Sequence, residues 1–152
     1  MQTGKDTIMI NLDFGILIDR PVHDVFTFVT TVTNIPKWQS QVKEIKTQDA
    51  VIKVGSKCTT VAEMLGRKIE GVMEVTEYQP DALFGFKMQA GPMEVNAKIS
   101  FKTVGTGTKI SLNAQGNPGG VFKIAEGALA GQVKHLMEGN LARLKDQLEK
   151  PA

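Results

Sequence analysis

The sequence predicts an α+β fold, an antiparallel sheet of about six or seven strands wrapped around one long C-terminal helix, with two short helices after the first strand. Three observations predict it. Ile8, Ile10, Leu12, Phe14, Ile16 and Ile18 fall at a spacing of two, the mark of a half-buried strand. Between Val42 and Ala114, short apolar–polar alternations are separated by turn residues. From Gly119 to Lys150, Phe122, Ala125, Leu129, Val133, Leu136, Leu144 and Leu148 recur at three- and four-residue steps, which places them on one face of a helix.

The first strand ends at Asp19-Arg20-Pro21. Asp19 is expected to cap the next helix, with Pro21 in its first turn, where a missing N–H costs nothing. Val22, Val25, Phe26 and Val29 then keep helical spacing until Asn34-Ile35-Pro36, because a residue before proline is pushed out of the helical region. A short second helical turn follows, carrying Lys37 and Trp38. The strands expected next are Val42–Thr47, Cys58–Leu65, Ile69–Tyr78, Leu83–Gln89, Met93–Thr103 and Thr108–Gln115. They are punctuated at Gly55-Ser56, Gly66-Arg67, Pro80-Asp81, Gly91-Pro92 and Gly105-Thr106-Gly107. The breaker cluster Gly116 to Gly120 delivers the chain to the terminal helix. A sheet with one apolar face needs a cover, and that helix is long enough to supply it.

Composition bounds the rest. A chain of 152 residues suits one domain, residues 1–152, with a substantial core. A net charge of +2, with basic and acidic residues interspersed, argues against a nucleic-acid partner. The one cysteine, Cys58, excludes an internal disulfide and a multi-cysteine metal site. No signal-peptide pattern and no apolar run of about 20 residues is present, so stable membrane insertion is not expected and a cytoplasmic location is. No cofactor, metal or catalytic residue is expected, and the oligomeric state is left open.

The inward faces decide the functional question. Met73 and Val75, then Phe84, Phe86 and Met88, then Met93, Val95, Ala97, Ile99 and Phe101, then Ile110, Leu112 and Ala114 are assigned to the covered side of the sheet. In the third strand either Cys58, Thr60, Ala62 and Met64 face inward, or Glu63 does. The helix carries small residues in its first half, and Gly127, Gly131 and Gly139 are costly there by about 1 kcal/mol each relative to alanine. They are expected to serve close backbone approach or room for a ligand. The predicted ligand-binding set is Trp38, Met64, Met73, Phe84, Phe86, Met88, Met93, Val95, Leu112, Phe122, Ala125, Leu129 and Asn140. Trp38 fits equally a wedged core aromatic or a ligand contact. Asn140 shares a helix face with Phe122, Leu129 and Val133, so its amide needs partners, from the backbone of the sheet or from a ligand oxygen. The methionines fit an adaptable pocket or a gap-filling core. Arg67 is assigned to an exposed hairpin tip, His23 and His135 to the surface, and Cys58 to an inert buried site.

The element order, Asp19-Arg20-Pro21, the helix Val22-His23-Asp24-Val25-Phe26, the segment Asn34-Ile35-Pro36-Lys37-Trp38 and the glycine-rich approach to the last helix together resemble the START-like helix-grip superfamily. That superfamily, of the SRPBCC type, includes the polyketide cyclase/dehydrase and lipid-transport proteins. The resemblance covers essentially the whole chain and rests on no catalytic signature. It implies a curved antiparallel sheet gripping the C-terminal helix, with a hydrophobic ligand held between them. The first functional expectation is therefore a binder of a lipid, polyketide-like aromatic or quinone-like molecule. The second is a polyketide cyclase/dehydrase, for which Glu63, Thr60 or Tyr78 would have to reach the interior. The third is an accessory protein-interaction module with a filled interior.

Overall fold

The computed structural model describes residues 10–49, 51–64, 66–91, 93–117 and 126–150; for Ile10, Met64 and residues 126–130 it describes the backbone alone. Seven strands form one antiparallel sheet: β1 (Ile10–Ile18), β2 (Val42–Thr47), β3 (Lys57–Met64), β4 (Arg67–Gln79), β5 (Leu83–Ala90), β6 (Met93–Val104) and β7 (Gly107–Asn117). Their order is β1-β7-β6-β5-β4-β3-β2, so each strand from β2 onward pairs with its neighbour in sequence and β1 closes on β7. Helices α1 (Val22–Thr30) and α2 (Ile35–Trp38) lie between β1 and β2, and α3 (Glu126–Glu149) ends the chain.

Alternation sets the two faces as the sequence requires. Ile69, Met73 and Val75, Phe84, Ala97, Ile99 and Phe101, and Ile110 and Leu112 are buried, while Lys68, Glu70, Glu94, Lys98 and Lys109 are exposed. In β3 the inward set is Cys58, Thr60 and Ala62, and Glu63 is exposed. One feature that alternation cannot anticipate is a bulge in β4 between Val75 and Glu77. The extra residue resets the phase, so Tyr78 turns inward and meets Phe26 and Phe84 edge-on at ring separations of 5.4 and 6.2 Å. Gly71 sits close against the backbone of β5. A Cβ there would lie 2.6 Å from the Gln89 carbonyl oxygen, so only glycine fits without a backbone shift.

Two local expectations need correction. Pro21, in an extended conformation, holds the N-cap position of α1 with no side-chain cap, so Asp19 lies too early to cap it. Helix α1 also stops at Thr30, short of Pro36. The run Thr30-Thr31-Val32-Thr33 is β-branched, and the Thr30 and Thr31 hydroxyls donate back to the Phe26 and Thr27 carbonyls at 2.8 and 2.7 Å. Pro36 instead lies in the first turn of α2.

The Asp19-Arg20 corner locks the end of α3. The Arg20 guanidinium donates to the Leu148 carbonyl at 3.2 Å, satisfying an orphan acceptor of the last turn, and pairs with Asp24 at 3.0 Å. Glu149 accepts the Asp19 N–H at 2.7 Å, and the Thr108 hydroxyl donates to the Arg20 carbonyl at 2.8 Å. Between these anchors and the sheet, Leu141, Leu144 and Leu148 pack with Val25, Phe26, Phe84 and Ile110 in the main core. A smaller cluster joins Val32, Ile35, Val42, Cys58 and Met73. Among the described residues no helix is long and apolar enough to cross a membrane.

Candidate functional site

The site begins with Asn140, which the fold buries completely, at 0% exposure. Its side-chain oxygen accepts from the Ser40 N–H at 3.1 Å and from the Ser40 hydroxyl at 3.2 Å. Its amide nitrogen donates to Gln41 Oε1 at 2.8 Å, and Gln41 Nε2 donates in turn to Gln39 Oε1 at 2.9 Å. This relay ties α3 to the segment between α2 and β2, so the buried amide finds its partners in that segment instead of in the sheet backbone. The Gln39 N–H bonds back to the Ile35 carbonyl at 2.8 Å, which closes α2 and leaves Trp38 wedged beneath the segment at 1% exposure.

Beside the relay, between α3 and the inner face of the sheet, lies a cavity of about 200 Å³. Trp38, Gln39, Gln41 and Val42 form one wall; Thr60 and Ala62 of β3, Ile69 of β4, and Phe86 and Met88 of β5 form the next. Met93, Val95, Ala97 and Ile99 of β6, Leu112, Ala114, Gln115 and Gly116 of β7, Leu12 of β1, and Val133 and Met137 of α3 complete the described lining. None of these residues carries a charge. The room comes from small side chains on neighbouring strands: Ala97 stands opposite Ala114 across the β6–β7 pair, and Ala62 lines the β3 side. Toward the end of α3 the space closes, because Leu141, Leu144 and Leu148 fill it. Along α3 the described lining is Val133 and Met137, on the N-terminal side of that packed end.

A family model described as polyketide cyclase / dehydrase and lipid transport matches residues 9–149. The chain belongs to this family. Among solved structures it is similar to the ZhuI aromatase/cyclase from Streptomyces sp. R1128, at 9% identity and a TM-score of 0.75, with 93% of this chain and 94% of that one covered. A Staphylococcus aureus protein of unknown function gives a TM-score of 0.77 at 12% identity, covering 95% and 96%. Ara h 8.0201 gives 0.72 at 12% identity, covering 94% and 99%. At these identities the likeness is one of fold. No curated protein matches the chain.

In this polyketide cyclase/dehydrase family member, six of the predicted ligand-binding residues line the cavity: Trp38, Phe86, Met88, Met93, Val95 and Leu112. Met73 and Phe84 are buried in the two core clusters and are not part of the described lining. Asn140 supports the wall through Gln41 and is not part of the lining. Phe122 and Ala125 lie outside the described residues, and the side chains of Met64 and Leu129 are not described. Gln39, Gln41 and the alanines Ala62, Ala97 and Ala114 also line the cavity and are not in the predicted set. Their signals were present: a buried Asn140 demands polar partners, and inward-facing alanines on adjacent strands leave space.

Of the helix glycines, Gly127 lies where the backbone alone is described, and the other two behave differently from expectation. Gly131 and Gly139 are exposed, and a Cβ at either would meet no neighbour within 4 Å. Among the described residues neither is closely packed against a neighbour, and neither is part of the described lining. Cys58 is buried, and burial pushes its thiol up from the ordinary range, which fits an inert group. His23 is exposed and pairs with Asp81 at 3.0 Å, and His135 and Arg67 are exposed.

Proposed function

We propose that the chain acts as one ligand-binding domain, a binder of a small apolar molecule held between the sheet and α3. The cavity of about 200 Å³ with an uncharged lining is the observation that carries this reading. Ligand pockets of this kind gain affinity from burial and orientation from a few placed polar groups. The family description and the fold neighbours, one of them an aromatase/cyclase, support the same class of ligand. Native mass spectrometry of gently purified protein, with thermal shifts against lipids and aromatics, tests it. A bound species or a saturable stabilisation is expected; no adduct and no shift with any member would overturn the reading.

A second reading, cyclisation or dehydration of a polyketide-like substrate, is favoured by one observation: Thr60 places a hydroxyl in the wall. That hydroxyl donates to the Gly71 carbonyl at 3.3 Å and approaches Met88 Sδ at 3.6 Å. Glu63 is exposed, and Tyr78 packs in the aromatic core away from the described lining. Under this reading Thr60→Val would abolish turnover of a linear poly-β-ketone; unchanged turnover would remove Thr60 from the chemistry.

A further inference from the structure

Trp38 forms part of the cavity wall, yet its indole N–H is buried with no hydrogen-bond partner among the described residues. An unpaired buried donor is uncommon and unfavourable, because burial strips its water without a replacement. The neighbouring relay has a definite polarity. The oxygens of Asn140, Gln41 and Gln39 each already accept a hydrogen bond, from Ser40, Asn140 and Gln41 respectively. Amide hydrogens of Gln39 and Gln41 remain. This end of the cavity therefore has donors in its wall, the glutamine amides beside the lining and the Trp38 Nε1–H buried within the wall, next to a lining without a single charge.

We infer that the ligand is an uncharged apolar molecule carrying a carbonyl-type oxygen, and that Trp38 Nε1–H donates to that oxygen. This inference rests on the apolar-ligand reading above and narrows it. A carboxylate or an ammonium group would enter the same space with no counter-charge on the described lining, and an unpaired buried ion is far costlier than a neutral carbonyl. A plain hydrocarbon would fill the space and leave the indole donor unpaired. Met88, Met93 and Met137 line the cavity, and their flexible thioethers let the wall re-pack as the oxygen reaches the indole.

The test uses a matched pair, 2-acetylnaphthalene and 2-ethylnaphthalene, which differ by one carbonyl oxygen, with 2-naphthoate as the charged control. Calorimetric titration of the wild-type chain is expected to show the ketone bound about tenfold more tightly than the hydrocarbon, and the carboxylate weakest. In Trp38→Phe, which keeps an aromatic ring and removes the donor, the two neutral compounds should bind equally. Equal binding in the wild type, or a preference that survives in Trp38→Phe, overturns this inference and leaves the apolar-ligand reading standing. Failure of all three compounds to bind overturns this inference, and the apolar-ligand reading falls with it only when the lipid and aromatic panel gives no binding either.

A second readout works without any variant. Trp38 is the one tryptophan, so a ¹⁵N-labelled sample gives a single indole N–H signal. The ketone should move it downfield relative to the hydrocarbon; identical displacement by both compounds overturns the inference even if Trp38→Phe does not fold.

Discussion

Asn140 shows how one side chain can hold a site without touching what the site holds. Its oxygen and nitrogen together bond Ser40 and Gln41, so α3 and the wall segment move as a unit. Truncation would leave the Ser40 N–H and Gln41 Oε1 without partners in a buried setting, at about 1–3 kcal/mol. Asn140→Ala should lower unfolding stability by about 2 kcal/mol in urea titration. A loss below ~0.5 kcal/mol, the range of an ordinary surface substitution, would mean that water replaces the amide fully. Glu149 acts at the other end of the helix. The Lys145 ammonium, and after it the Asp19 N–H, hold its carboxyl below the usual range. A depressed value favours the charged form in the folded state. Its contribution is present above the pKa of an unfolded glutamate and is lost as pH falls through the depressed folded value. Glu149→Gln should therefore melt at a lower temperature than wild type at neutral pH, with the gap narrowing on acidification below about pH 4. A gap that stays constant down that range would contradict the assignment.

At the scale of elements, strand existence was legible because burial enforces a two-residue period. The boundaries expected for β4 to β7 lie within two residues of those observed, from Arg67–Gln79 to Gly107–Asn117. The β4 bulge was not legible, since an inserted residue changes phase without changing composition. The end of α1 was not legible from Pro36, because the β-branched run from Thr30 to Thr33 ends the helix first. In α3 the apolar stripe was legible in its C-terminal part, where Leu144 and Leu148 are buried, though Met137 and Leu141 also belong to it. The glycines misled. With its position exposed and no atom near a Cβ, Gly139 contributes only backbone entropy. Gly139→Ala should raise stability by about 0.5–1 kcal/mol, read from the denaturation midpoint. A loss of stability would show that the glycine has a packing role.

For the whole molecule, the grip of a curved sheet on one helix follows from a sheet with one apolar face and a helix too long to be buried alone. The helix end is pinned at Arg20 and Glu149, its middle at Asn140, and its core face at Leu141 to Leu148. What remains between the sheet and Val133 and Met137 of α3 is the cavity, so its position follows from where the anchors stop. The family was legible in the sequence because element order and a few corner residues define it. The pocket was half legible: large inward residues such as Phe86, Met88 and Val95 could be assigned by alternation. The space itself depends on small residues meeting across strands, such as Ala97 and Ala114, which no single strand reveals.

The central claim is that an apolar molecule occupies this particular space. Titration of 2-acetylnaphthalene into wild-type protein and into Ala114→Phe, which fills the cavity from β7, tests it most directly. With the variant shown to unfold cooperatively, saturable one-to-one binding in the wild type and at least tenfold weaker binding in Ala114→Phe are predicted, since the added ring takes the volume the ligand needs. Equal affinity in the two proteins would contradict the account, because the ligand would then be bound elsewhere.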